Sequence, residues 1–336
     1  MQVPLKYLPS LDPQLAAFID ALPKAELHLH LDGALPWEKI REENPQLPER
    51  PPFWAPHFRY AHFDAFLQAV AHFSSFWLTT PERYAEAANI MLAECAAQNV
   101  RYVETSIHLV AAVLAGPPSE ILAAMRNAAD RFPQMEVRLF LGICRDNYQL
   151  YDSVIEETLH SPYLDGIDLH GVETLPLEAW TDDLWRRARD LGKFTKAHAG
   201  EFGPAFSVRE VVERLGVTRV EHGVRAAEDP DVVRLLKDRG VTLDVCPLSN
   251  LKLQVTPSLR AHSLAALHRA GVACTVNTDD PFFFGSTLRE EYAVLALEAG
   301  LSRADLAQLA ANGFKTALLP PAVRDQHLAE ISRCLA

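Results

Sequence analysis

AELHLHLDG, residues 25–33, places His28 and His30 two apart in an apolar run, with Asp32 next in the same register. Side chains at i and i+2 of a β-strand share a face. Two imidazoles on one face read as a grip on a metal ion. An isolated His-x-His also arises by chance, so the pair gains its weight from what accompanies it. HAGE at 198–201, EHG at 221–223 and NTDDP at 277–281 each close an apolar stretch.

Outward from this segment, β-rich runs recur at 25–31, 100–108, 136–145, 164–173, 193–201, 218–224, 241–250 and 272–280. The stretches between them have helical spacing. Asp229 and Pro230 supply an N-cap and a proline at the first helical position, and Gly240 closes that helix. SVREVVERLG stops at Gly216 and HSLAALHRAG at Gly271. Eight strands alternating with helices predict an α/β fold, the (β/α)8 TIM barrel. An open doubly wound sheet would call for a glycine-rich dinucleotide loop after the first strand, and the sequence has none there.

Residues 34–99 are too long for one barrel helix and carry a segment rich in proline and aromatics. They predict helices inserted after the first strand, over the barrel mouth. Further helices follow Asp280 at the C-terminus. The stripe of Phe63, Phe66, Phe73 and Phe76 reads as core packing. No linker or low-complexity segment interrupts the chain, so residues 1–336 are expected to form a single barrel domain.

The 49% hydrophobic and 23% charged content is that of a soluble globular protein. The formal net charge of −12 argues against nucleic acid and anionic membranes as partners. No apolar run approaches a membrane span. MQVPLKYLPSLDPQL lacks the charged-then-apolar layout of a secretory signal, so a cytoplasmic location is expected. The five cysteines are far apart and form no CxxC pair, which points to buried thiols rather than disulfides or a zinc knuckle. Oligomeric state is not legible, and a homo-oligomer stays open.

The active site of such a barrel lies at the C-terminal ends of the strands. His28, His30, His198, His222 and Asp279 all fall there. Imidazoles with a carboxylate suit Zn²⁺ and tolerate other divalent ions. A water on such a metal has its pKa lowered to about 7.

LPKAELHLHLDGAL, HAGE, EHG, CPLSN (246–250) and NTDDP, in that order, resemble the adenosine deaminase family, which includes adenine deaminases; the match spans about residues 22–315. The resemblance implies a single zinc held by His28, His30, His198 and Asp279. It implies that Glu201 protonates N1 of a small-molecule purine as hydroxide attacks C6. His222 would orient the metal-bound water and take its proton. Asp280 would contact N7, the backbone N–H of Gly171 would contact N3, and Asp32 would lie near the ribose of a nucleoside. Attack at C6 moves electron density to N1, so an acid there must start protonated. Burial and the neighbouring Asp279 and Asp280 are expected to raise the pKa of Glu201 accordingly, with the metal opposing the rise. CPLSN is expected to shape the pocket beside ribose or purine, and Glu221 to be a rim or salt-bridge residue. His108 and His170, also at strand ends, receive no role.

For the substrate, CPLSNLKL and the Phe284-Gly285 pair resemble the adenine branch of the family. HLDGA with Asp32, and Gly171 in GIDLHGVE, resemble the nucleoside branch. The leading expectation is hydrolytic deamination of a 6-aminopurine nucleoside, adenosine or a 5′-modified adenosine such as aminodeoxyfutalosine. The alternative is conversion of adenine to hypoxanthine. A more distant alternative, a two-metal amidohydrolase acting on an amide or phosphoester, would need a bridging Lys or Glu on an intermediate strand. The cytidine-deaminase type is excluded because its HxE and PCxxC signature is missing.

Overall fold

The structure, a computed structural model, describes residues 5–146 and 148–336. Its sheet has eight parallel strands: β1 (Lys24–His30), β2 (Val100–His108), β3 (Glu136–Cys144), β4 (Gly166–His170), β5 (Phe194–Ala199), β6 (Arg219–His222), β7 (Thr242–Val245) and β8 (Ala273–Val276). They lie in chain order, each paired with its neighbour in sequence. Strands covered by helices on one face and filled by side chains on the other bury both faces, which explains their near-continuous apolar runs.

The ring closes just beyond β8. Leu29 bridges Asp279; the His30 N–H donates to the Asp279 carbonyl at 3.0 Å, and the Asp279 N–H donates to the His28 carbonyl at 2.9 Å. Deeper in the seam, side chains replace the ladder. The Asn277 Oδ1 accepts the Leu27 N–H at 2.8 Å, and the Glu26 carboxylate accepts the Thr278 N–H at 3.0 Å. NTDDP is therefore at once the barrel seam and part of the strand-end cluster.

The caps follow the sequence. Asp229 accepts the Asp231 N–H, and the helix Pro230–Arg239 ends on Gly240 with a φ of 62°. The helix Ala205–Glu210 continues through a wider π-type turn, Val211–Leu215, to Gly216 at φ 65°.

A charged layer fills the barrel below the site. Arg219, fully buried, pairs with Glu104 at 3.0 Å and with Asp244 at 2.6 Å, and Lys196 pairs with Glu221. Arg219→Ala would strand Asp244 in the interior and leave Glu104 ion-paired only with Lys196, 3.5 Å away. Breaking a buried pair from one side costs about 3–5 kcal/mol, so urea unfolding should show a loss of that size.

Between β1 and β2 the chain forms Trp37–Glu43 and Phe63–Trp77 before the barrel helix Pro81–Ala97. This insertion is pinned to the barrel. Trp54 Nε1 donates to the Phe282 carbonyl at 2.6 Å, Tyr60 Oη to the Phe283 carbonyl at 3.2 Å, and Lys252 Nζ to the Phe53 carbonyl. The phenylalanine stripe does not behave as one core face. Phe73 packs on Trp37 and Phe282, but Phe63 and Phe66 line the central cavity and Phe76 is 46% exposed. A fifteen-residue helix lying across a mouth has three environments around it rather than two.

The chain ends in Leu288–Leu297 and Arg303–Thr316, as expected, and then in Pro321–Leu335, which the sequence reading omitted. Phe314 and His327 stack across that last pair at 4.6 Å. Pro13–Ala21 was omitted as well. None of the five cysteines forms a disulfide, and four of them are buried. Among the described residues, no single helix is long and apolar enough to cross a membrane.

Candidate active site

The expected strand-end residues converge. The His28 ring lies 5.1 Å from His30, 4.8 Å from His198 and 4.6 Å from His222, centre to centre. Asp279 faces three of them: its Oδ1 is 3.4 Å from His28 Nε2 and 3.1 Å from His30 Nε2, and its Oδ2 is 3.9 Å from His222 Nε2. His222 and Asp279 both take φ of 63° although neither is glycine. That left-handed backbone is costly and persists where the surroundings hold it, commonly at functional positions. Here it occurs at the last residue of β6 and just past the end of β8, at two members of the cluster.

Three of the four imidazoles are held from behind by an oxygen. His28 Nδ1 lies 2.7 Å from Glu221 Oε2, His30 Nδ1 lies 2.6 Å from Ser106 Oγ, and His198 Nδ1 lies 3.2 Å from Asp168 Oδ1. Holding Nδ1 leaves Nε2 as the free donor, the arrangement of metal-ligating histidines. His28 Nε2 is buried and lacks a hydrogen-bond partner among the described residues. Such an orphan is expensive in a protein interior, and a cation would satisfy it. Burial lowers the pKa of His28, but Cys246, Glu221 and Asp279 outweigh it and push the pKa up. Surroundings negative enough to retain a proton would also retain a cation. Burial takes His30 down to about 3, which keeps that ring neutral. The donor set therefore fits a divalent metal.

His222 also comes close, forming a compact group with His28, His198 and Asp279. Its other nitrogen distinguishes it. The Leu264 N–H donates to His262 Nδ1, so His262 carries its proton on Nε2 and donates to Asn250 Oδ1 at 3.1 Å. That orients the Asn250 amide. Its Nδ2 then donates to Glu201 Oε1 at 3.0 Å and to His222 Nδ1 at 3.3 Å. The network thus assigns the His222 proton to Nε2, which faces Glu201 Oε2 at 3.4 Å. A ring presenting N–H to the centre can orient a water. Accepting a proton there, as the resemblance implied, would first require a change of tautomer.

Glu201 is buried, and its pKa stands well above the usual carboxylate range; burial is the main cause, followed by Asp279 and Glu173. Asp280 is also raised well above it, by burial and then by Asp279. A Cβ on Gly33 would fall 1.8 Å from Asp280 Oδ1, so the glycine after Asp32 makes room for Asp280. Gly171, at φ 93°, turns the chain at the end of β4 and lines the cavity. Asp32 lines it too, but its oxygens accept the His108 N–H at 2.8 Å and the Tyr84 hydroxyl at 3.5 Å.

CPLSN is placed differently from expectation. It forms the start of the buried helix Pro247–Lys252, behind the site rather than beside a substrate. Ser249 Oγ donates to Asp279 Oδ2 at 2.7 Å, and Asn250 holds Glu201. Glu221 is a fully buried salt-bridge residue, shared between Lys196 and His28. Asp168 links His198 to His170 Nε2, 3.1 Å away. His108 Nε2 meets Cys144 Sγ at 2.9 Å. The Lys196 ammonium donates to the Leu27 carbonyl at 2.8 Å and lies beneath the histidines, so it is not placed to bridge two metals.

The cavity over the cluster has a volume of about 470 Å³. Phe63, Phe66 and Val70 from Phe63–Trp77, with Val110 and Leu114 from Leu109–Ala115, make one side of it apolar.

Comparison with known proteins gives a consistent result. The sequence profile of the adenosine deaminase family matches residues 23–334. The chain is 35% identical over 331 residues to an adenine deaminase of Chlorobium luteolum, covering 94% of this chain and 95% of that one. It is 34% identical to an adenine deaminase of Sphingopyxis alaskensis, covering 94% and 96%. Among solved structures, an adenine deaminase from Arthrobacter aurescens matches with a TM-score of 0.82 at 27% identity, covering 94% of this chain and 99% of that one. A zinc-bound amidohydrolase from Burkholderia ambifaria matches with a TM-score of 0.83 at 26% identity, covering 97% and 94%.

Proposed function

The chain belongs to the adenosine deaminase family, and from that premise we propose that it deaminates adenine hydrolytically, consuming one water and releasing hypoxanthine and ammonia. The observation that carries the chemistry is a buried Glu201, its pKa raised by that burial and its carboxyl held by Asn250, at the edge of a histidine–aspartate cluster.

His28, His30, His198 and Asp279 would hold one divalent metal, zinc by the chemistry of the donors. When bound, the metal lowers the pKa of a water so that it is nucleophilic at neutral pH. The residues do the rest. The His222 Nε2–H orients the attacking oxygen toward C6. Glu201 hands its proton to N1, where charge gathers as C6 becomes tetrahedral; the C6–N bond then breaks, and the proton shed by the water ends on the amino nitrogen that leaves as ammonia. Asp280, kept neutral, donates to N7, and the Gly171 N–H donates to N3. Ser249 keeps Asp279 turned toward the histidines.

The free base replaces the nucleoside as the leading substrate. The nucleoside expectation rested on Asp32 and Gly171, and the Asp32 oxygens are engaged by His108 and Tyr84 rather than by open space. The curated relatives named above are adenine deaminases. One observation keeps a nucleoside as the second reading: the cavity of about 470 Å³ is of a size that encloses ligands larger than a bare purine. No Lys or Arg lines it among the described residues, so a 5′-phosphate would lie without a counter-charge.

Ammonia release from adenine, adenosine, methylthioadenosine, aminodeoxyfutalosine and AMP, compared by kcat/KM, tests the substrate. Adenine should lead each nucleoside by about tenfold or more, a difference of about 1.4 kcal/mol at the transition state, and AMP should be the poorest. A nucleoside ahead of adenine would overturn this assignment and leave the deaminase chemistry standing.

A further inference from the structure

Four consecutive backbone N–H groups in the loop leaving β5 turn to a single side chain, Glu173. Gly200 donates to its Oε1; Glu201, Phe202 and Gly203 donate to its Oε2 at 3.0, 2.7 and 2.8 Å. Charge-assisted bonds of this kind are stronger than neutral ones, and a nest of successive N–H groups is a natural seat for an anion. The loop is shaped to admit the carboxylate. Gly200 has φ of 73°, and a Cβ on Gly203 would lie 2.6 Å from Glu173 Oε1. Arg145 ties down the same junction through carbonyls, donating to Leu175 and to His198 at 3.2 Å each. Glu173 thus fixes the backbone of Glu201 itself, while Asn250 fixes its carboxyl.

We infer that Glu173 is a positioning residue for Glu201: its carboxylate holds residues 200–203 so that the Glu201 carboxyl stands at N1 of the purine. The inference rests on the reading of Glu201 as the acid. Glu173 itself exchanges no proton with substrate. Displacing a reacting group by about 1 Å costs about 10²-fold in rate, and the loop has no other side chain accepting its N–H groups among the described residues.

The test uses the metal-loaded full chain with adenine, or with whichever purine the substrate comparison ranks first. Glu173→Gln keeps the volume but turns one acceptor terminus into a donor, which cannot receive the loop's N–H groups. Its kcat should fall about 10²-fold with KM changed less than about threefold and metal content unchanged. Gly203→Ala, which pushes on the same carboxylate from the loop side, should show the same split. A cycle with Glu201→Gln gives the decisive reading. If Glu173 acts through Glu201, adding Glu173→Gln to that background lowers the residual rate by less than about threefold. A folded, metal-loaded Glu173→Gln with kcat within about threefold of the parent overturns the inference, as does a full multiplicative loss in the double variant. If Glu173→Gln does not fold, Gly203→Ala decides by the same two criteria. Full activity in Glu201→Gln would instead remove the acid assignment on which the inference stands.

Discussion

Glu201→Gln is expected to retain fold and metal and to lose about 10³- to 10⁴-fold in kcat, the upper part of the range for general acid catalysis. The amide is isosteric, and its Oε1 can still accept from Asn250 Nδ2, which lies 3.0 Å from that atom in the parent. What it cannot do is release a proton to N1. Because the lost interaction forms only as N1 gains charge, kcat and kcat/KM should fall together and KM should move little. The parent should also lose activity as pH rises through the raised pKa of Glu201, since the protonated form is the competent one. Burial is the main cause of that elevation, with Asp279 and Glu173 adding to it. The high-pH loss should be absent from the residual activity of Glu201→Gln. Near-normal kcat in the variant would show that the proton comes from elsewhere.

Asp279→Ala should abolish both stoichiometric metal binding and turnover. The carboxylate faces His28 and His30 at 3.4 and 3.1 Å, receives the Ser249 hydroxyl, and sits on a left-handed backbone that alanine would also strain. Lewis-acid stabilisation is worth several kcal/mol, so the rate should drop about 10³-fold or more. Its backbone N–H and carbonyl also close the barrel to β1, and those bonds survive the substitution. Metal analysis beside circular dichroism therefore separates the two effects. A folded variant that still carries a full complement of metal would mean that the centre is held by other residues, with His222 the first to test.

The sequence made the barrel legible because each motif ends a strand. His-x-His, HAGE, EHG and NTDDP mark where β1, β5, β6 and β8 finish, and the apolar runs before them give the strand positions to within a few residues. The histidines and the aspartate that cluster at the barrel mouth were legible for the same reason. The supports were not. Glu173 lies two residues past the glycine that closes β4, and nothing local shows that its carboxylate gathers N–H groups from a loop about thirty residues downstream. CPLSN was visible as a motif, but whether it faces substrate or braces Asp279 and Glu201 from behind depends on how the short helix Pro247–Lys252 packs. His262 enters only through Asn250. Residues that act through another side chain leave no periodicity or spacing of their own.

The measurement that bears most directly on the central claim, hydrolysis of the adenine amino group at a single metal held by this cluster, is a zinc titration of chelator-stripped protein with ammonia release from adenine read at each step. The account predicts that activity is absent at the start, rises in proportion to added zinc and saturates at one equivalent per chain. Saturation only at two equivalents, or no ammonia at any loading, would contradict it.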